Sequence, residues 1–267
     1  MSAIDGLFKT LRAQGRKAFM PFITAGDPDL DFTADVLRQL AARGSSMCEL
    51  GIPYSDPIAD GPVIQASYTR ALGHRVRIAQ ILEMLARTTP QLEAPVVTMT
   101  SYAIVYRLGL EDCVARAKAA GVAGMIVPDL PVEESDRLAA ICRKEDFSLI
   151  QLITPTTPWD RARRIADKTT GFIYYVSVTG ITGERAELPP EIVDHVAELR
   201  SLTDLPICIG FGISRPEHVQ MLAPVADGLI VGSAIVRRMA EAESRGRQAV
   251  LAEIGDYVEQ LIAAMEG

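Results

Sequence analysis

FMPFITAGDPDLDFTADVLRQLAARGSSMCELGIP, residues 19–53, contains one complete round of the pattern that runs through the chain. It opens on an apolar run, 19–26, that closes on glycine. Over 31–44, apolar residues recur at three- and four-residue spacing and again close on glycine, as an amphipathic helix does. A second apolar run, 46–53, ends on proline. A short buried strand, a helix and another short buried strand form the unit from which parallel sheets are assembled.

Working outward, the same alternation continues to the end of the chain. Further runs are APVVTMTSY (94–102), GMIVPD (124–129), SLIQLITP (148–155), FIYYVSVTG (172–180), PICIGFG (206–212) and GLIVGSA (228–234). Helical spacing returns between them, as in EDCVARAKAAG. Eight rounds without a linker or a shift in composition predict a single (β/α)8 TIM barrel over residues 1–267. The rival is a doubly wound open sheet. That fold places a GxGxxG turn ahead of its first helix; none occurs here, and glycine-rich turns cluster after the last three runs instead.

Composition narrows the function. At 48% hydrophobic, the chain buries a substantial core. A net charge of -7 and a pI near 5.1 disfavour nucleic acid or an anionic membrane as partner. No run of eighteen apolar residues occurs and charges interrupt the N-terminal stretch, so a soluble, unprocessed, cytoplasmic protein is expected. Cys48, Cys113, Cys142 and Cys208 are widely spaced, form no CxxC pair and read as buried reduced thiols. His74, His195 and His218 lie in separate segments and read as surface histidines; no metal-ligand set or Ser/His/Asp constellation emerges.

In such a barrel, the loops at the C-terminal strand ends build the active site. One of them, ELGIPYSDPIADGPVIQ (49–65), concentrates acids among prolines where no helix forms. Glu49 lies inside the second strand, and alternation with Cys48 and Leu50 turns its carboxylate toward the barrel mouth. Partial burial there raises a carboxyl pKa toward the range useful for proton transfer; the alternative is a structural Glu bonded to a neighbouring strand. Asp60 precedes Gly61 and Pro62, so it is either a site residue or the cap of the next helix. Asp56 suits a turn or a partner contact.

GITGE (180–184), GFGIS (210–214) and VGSAI (231–235) follow the last three strands and meet on one side of the mouth. Taken singly, each is a tight turn. Together they suit a phosphate, held by backbone N–H groups near Ser233 without any lysine. Phe22, Ile64, Tyr174 and Phe211 either line an apolar pocket beside it or are simply core. The stretch TGITGERAELPP (179–190) has few apolar anchors and reads as a lid over the site.

PFITAGDP (21–28), ELGIPYSDPIADGP (49–62), VPDLPVEES (127–135), YYVSVTGITG (174–183), GFGIS and VGSAIV (231–236) occur in the order found in the tryptophan synthase alpha subunit, and the chain closely resembles that family over nearly its whole length. The resemblance implies retro-aldol cleavage of indole-3-glycerol phosphate to indole and glyceraldehyde 3-phosphate, with no cofactor in this chain. It also implies an α2β2 heterotetramer with a β subunit that carries pyridoxal phosphate. By the same likeness, Glu49 is the acid/base at indole C3 and the glycerol hydroxyl, and Asp60 holds the ring N–H. Tyr174 matches a pocket position, Thr182 a mobile-loop threonine, and Gly183, Gly212, Gly232 and Ser233 the phosphate-binding groups.

Two positions depart from the family pattern. SYAI (101–104) stands where the family reads close to Tyr-Tyr-Asn-Pro, so Ala103 replaces an amide near the usual subunit interface. Ser46 stands where an Asp commonly precedes the catalytic Glu. A stand-alone indole-3-glycerol phosphate lyase and a catalytically inactive regulatory subunit are the other readings; retention of both Glu49 and Asp60 argues against the second.

Overall fold

Eight parallel strands pair in chain order: β1 Ala18–Thr24, β2 Cys48–Gly51, β3 Val96–Met99, β4 Val122–Ile126, β5 Ser148–Ile153, β6 Ile173–Val176, β7 Ile207–Gly210 and β8 Gly228–Val231. In this computed structural model the described residues are 2–57, 60–177 and 191–266. β1 pairs with β8 through Pro21 and Val231, which closes the barrel and leaves no edge strand. The open-sheet alternative is thereby excluded. Each predicted run overlaps one strand, and at least one helix follows every strand, from Leu30–Ala42 after β1 to Ser233–Met239 after β8.

Period-two alternation sorts the side chains into two cores. Phe19, Ile23, Cys48, Leu50, Ile173, Tyr175, Ile207 and Ile209 pack outward against the helices. Met20, Phe22, Val97, Met99, Tyr174, Val176, Cys208 and Ile230 fill the barrel interior. The N-terminal end is plugged by the helix Ala3–Ala13, which buries Ile4, Phe8 and Leu11 and sets Phe8 against Phe172 with ring centroids 5.8 Å apart. The same end is clamped by Asp227, whose carboxylate accepts from Arg12 Nε (3.2 Å), from Arg200 and from the Ile207 N–H (2.8 Å). With that end sealed, the opposite mouth is left for the site.

The four cysteines are buried and none forms a disulfide. The histidine expectation needs correction. His74 is exposed and His195 half-buried, but His218 is buried because the helix Pro216–Leu222 turns it inward, where its Nδ1 accepts the Ser214 N–H at 3.3 Å. Among the described residues no helix is long and apolar enough to cross a membrane.

Candidate active site

β2 places Glu49 and Gly51 inward because Cys48 and Leu50 satisfy the outer core. In register, Glu49 lies between Phe22 of β1 and Val97 of β3, both interior residues. Only 1% of it is exposed, and its Oε1 has no hydrogen-bond partner among the described residues. Burial, with the nearby charge of Asp60 adding, pushes its carboxyl up to about 8. The alternation predicted from sequence turns this side chain inward, and the structure buries it so that it is not among the residues lining the mouth pocket.

Asp60 is on the pocket wall, 9% exposed. Burial lifts its carboxyl to about 6, against the opposing pull of the Tyr54 hydroxyl, which donates to Oδ2 at 3.4 Å. The capping alternative does not hold: Gly61 is the N-cap of the helix Pro62–Gly73, Pro62 is among its first residues, and no side-chain cap bond forms. Asp60 is fixed through its backbone instead, with its N–H donating to the Pro57 carbonyl (3.2 Å) and its carbonyl accepting from Gln65 Nε2 (2.7 Å). The helix that follows is pinned to β1 and the loop after it. Arg70 donates to both oxygens of buried Asp27, at 2.8 and 2.7 Å, and the Thr24 and Ser67 hydroxyls pair at 2.7 Å.

Phe22, Asp60, Ile64, Tyr174, Phe211, Gly212, Gly232 and Ser233, drawn from distant parts of the chain, line one pocket at the barrel mouth. Met99, Ile213 and Ile230 complete the lining and are absent from the sequence reading. Met99 and Ile230 were legible from alternation along β3 and β8; Ile213 lies beyond the last β7 residue, where no period applies. Tyr174 meets Phe211 edge-on at 5.8 Å and 74°. Phe211 has φ +74° and Gly212 φ +79°, a left-handed pair that is costly for an aromatic residue. It is held by the Ser177 hydroxyl, 2.7 Å from the Gly210 carbonyl and 2.5 Å from that of Phe211.

The pocket lining is of two chemical kinds: Asp60 with apolar and aromatic side chains, and the bare backbone of Gly212 and Gly232 with the start of the helix Ser233–Met239. The first N–H groups of that helix have no acceptor within it, and no lysine or arginine is among the lining residues. Among the described residues no group of three or more His, Cys, Asp or Glu is placed to hold a metal ion. Thr182, Gly183 and the stretch 179–190 lie outside the described residues.

A family profile described as "Tryptophan synthase alpha chain" matches residues 8–265. The chain belongs to the tryptophan synthase alpha chain family. It is 52% identical to a tryptophan synthase alpha chain of Rhodopirellula baltica, across 100% of this chain and 99% of that one. Among solved structures it is similar to tryptophan synthase subunit alpha from Legionella pneumophila, with 34% identity, a TM-score of 0.92 and coverage of 100% and 99%. A chain of the tryptophan synthase complex from Pyrococcus furiosus matches at 36% identity and TM-score 0.83, over 92% of this chain and 98% of that one. The tryptophan synthase alpha family is a lyase family that cleaves indole-3-glycerol phosphate.

The two departures from the tryptophan synthase alpha pattern now have places. Ser46 ties the start of β2 to β1: its hydroxyl accepts the Phe19 N–H at 3.1 Å and its own N–H donates to the Phe19 carbonyl at 2.9 Å. Ala103 is exposed in a broad groove beside the mouth, among Pro53, Tyr54, Ile104, Arg107 and Pro128.

Proposed function

We propose that this chain performs the retro-aldol cleavage itself, with Glu49 and Asp60 in separate roles. The observation that carries the reading is a pair of buried carboxyls pushed apart, Asp60 to about 6 and Glu49 to about 8. Near neutral pH one is an anion and the other an acid, which is the division of labour that an acid–base site needs.

Indole packs among Phe22, Ile64, Tyr174 and Phe211, its ring N–H donating to the Asp60 carboxylate. Glu49, rotated into the pocket, gives its proton to indole C3, and positive charge develops on the ring nitrogen beside Asp60. The resulting Glu49 carboxylate takes the proton of the hydroxyl on the adjacent side-chain carbon. The bond from that carbon to C3 breaks, its electrons return to the ring, and indole and glyceraldehyde 3-phosphate are the products. The phosphate sits at Gly212, Gly232 and Ser233. The ring accepts the electrons, so no step draws on a cofactor.

Partnership with a β subunit in an α2β2 assembly, with pyridoxal phosphate in that partner, is part of the same proposal. The Pyrococcus relative is named as part of a complex. The groove around Ala103 is the face offered to a partner, with Tyr106 70% exposed close by. The test is release of indole from indole-3-glycerol phosphate by the isolated chain and by the chain with a β subunit. Release that rises on adding the subunit supports both parts; equal release in both arms favours a stand-alone lyase, and none in either refutes the catalytic reading.

A further inference from the structure

Two buried oxygens near the acid pair have no hydrogen-bond partner among the described residues: Glu49 Oε1 and the hydroxyl of Tyr68. Tyr68 is on the helix Pro62–Gly73, is 1% exposed and belongs to the interior core. Its hydroxyl stands over the bare backbone of Gly51, where a Cβ would be 2.8 Å from that oxygen and 2.5 Å from Phe22 Cζ. Gly51 is two residues beyond Glu49 on the same face of β2, one strand repeat of about 6.6 Å away. The missing side chain at 51 therefore makes room for a phenolic oxygen directly along the strand from Glu49.

An unpartnered buried hydroxyl destabilises the fold, and phenylalanine fills the same space without it. We propose that Tyr68 is a positioning residue for Glu49: its hydroxyl donates to the Glu49 carboxylate formed when that residue gives up its proton, holding the anion for the return step. This inference rests on the proton-transfer role proposed above for Glu49. Asp60 already has its donor in Tyr54, whose ring lies 5.6 Å from that of Tyr68. The Tyr68 proton is thus left for Glu49. Burial first, and then the charge of Asp60 and the neighbouring Tyr54 and Glu49, hold the Tyr68 phenol well above its ordinary range, so it remains a donor at any working pH.

Other titratable groups around Tyr68 are committed or distant in kind. β1 carries none; Asp27, in the loop after it, is paired with Arg70 of the same helix. The helix Ser233–Met239, also packed on this one, carries exposed Arg237 and half-buried Arg238, the latter bonded to the Ala234 carbonyl and paired with Glu253. Tyr174 faces both acids from β6 and is itself held protonated, by burial and then by Glu49 and Asp60.

The test replaces only the oxygen. In Tyr68→Phe, kcat for indole release falls about tenfold with KM within twofold of wild type, and the Glu49 carboxyl carbon, followed by 13C NMR in the free protein, titrates at least half a pH unit higher. The melting temperature holds or rises, because an unsatisfied group has been removed. 3-Fluorotyrosine at position 68, a stronger donor, moves the Glu49 midpoint the other way and covers the case of a poorly folded Phe variant. Unchanged kcat and an unchanged Glu49 midpoint in either protein overturn the inference while leaving wild-type cleavage intact. A wild type that releases no indole instead refutes the catalytic reading, and the NMR midpoints still report on the Tyr68–Glu49 contact.

Discussion

Replacing Glu49 with Gln should make the protein more stable as pH rises, relative to wild type, while removing its activity. The native carboxyl keeps its proton up to about pH 8 and the unfolded one loses it above about 4.5. Between those values the unfolded chain binds fewer protons, so wild-type stability falls as pH rises, by about 1.4 kcal/mol per pH unit for one proton. Below 4.5 the effect is absent. Gln does not titrate. From pH 5 to 8 the stability difference between the two proteins therefore shifts by about 3.5 kcal/mol in favour of the variant. With an unfolding entropy of about 2 cal/mol/K per residue over 267 residues, that is a relative shift of about 6 °C in melting temperature. Asp60 titrates in both proteins and largely cancels, as does the offset from burying an amide instead of a neutral acid. Calorimetry at pH 5, 6, 7 and 8 reads the slope directly. Indole release in the variant should be at least ~10²-fold slower, with glycerol phosphate binding nearly unchanged. A melting-temperature difference that stays flat from pH 5 to 8 refutes the buried neutral Glu49, and turnover within a few-fold of wild type removes it from the mechanism.

In wild type, cleavage should follow a bell against pH, with loss below about 6 as Asp60 protonates and above about 8 as Glu49 ionises, the pair titrating as a unit; a flat profile from pH 5 to 9 counts against the assignment. Asp60→Asn should slow cleavage by at least ~10-fold with little change in melting temperature, because no helix cap is lost; loss of stability alone would restore the capping role. Gly232→Val should weaken glycerol phosphate binding by more than ~10-fold but free indole by only a few-fold, since its Cβ meets Phe22 at an ordinary 3.5 Å; equal loss of both ligands would mean a collapsed pocket. Asp27→Ala should destabilise by about 3 kcal/mol, at the low end for a buried pair because Arg70 is 38% exposed; a denaturation midpoint equal to wild type would show that the pair does not hold the helix.

Much of the site was legible because a barrel has a fixed polarity. Once eight rounds of strand and helix are counted, every strand end belongs to the mouth or the plug, and Phe22, Tyr174, Phe211 and Gly232 fall on the mouth by position. Glu49 faces inward by alternation with Cys48 and Leu50. Its depth was not legible, since a period of two sets the face of a strand and not how far neighbouring rings cover it. His218 failed for a related reason: a seven-residue helix, Pro216–Leu222, leaves too little pattern to tell its buried face from its exposed one.

The order of apolar runs, their lengths and their closing glycines predicted the eight strand–helix rounds and the end at which the candidate site lies, because these follow from local periodicity and chain connectivity; closure of β1 on β8, which excluded the open sheet, was decided by the tertiary structure. The state of the two acids came from elsewhere. Whether Asp60 caps a helix or faces a ligand depends on where Gly61 and Pro62 start that helix, and whether Glu49 is an acid or an anion depends on Phe22, Gly51, Tyr68 and Asp60 meeting around it. Those residues come from separate strands, loops and a helix. A pKa is set by the dielectric and the charges within a few ångströms, and only the closed barrel brings those groups within that range.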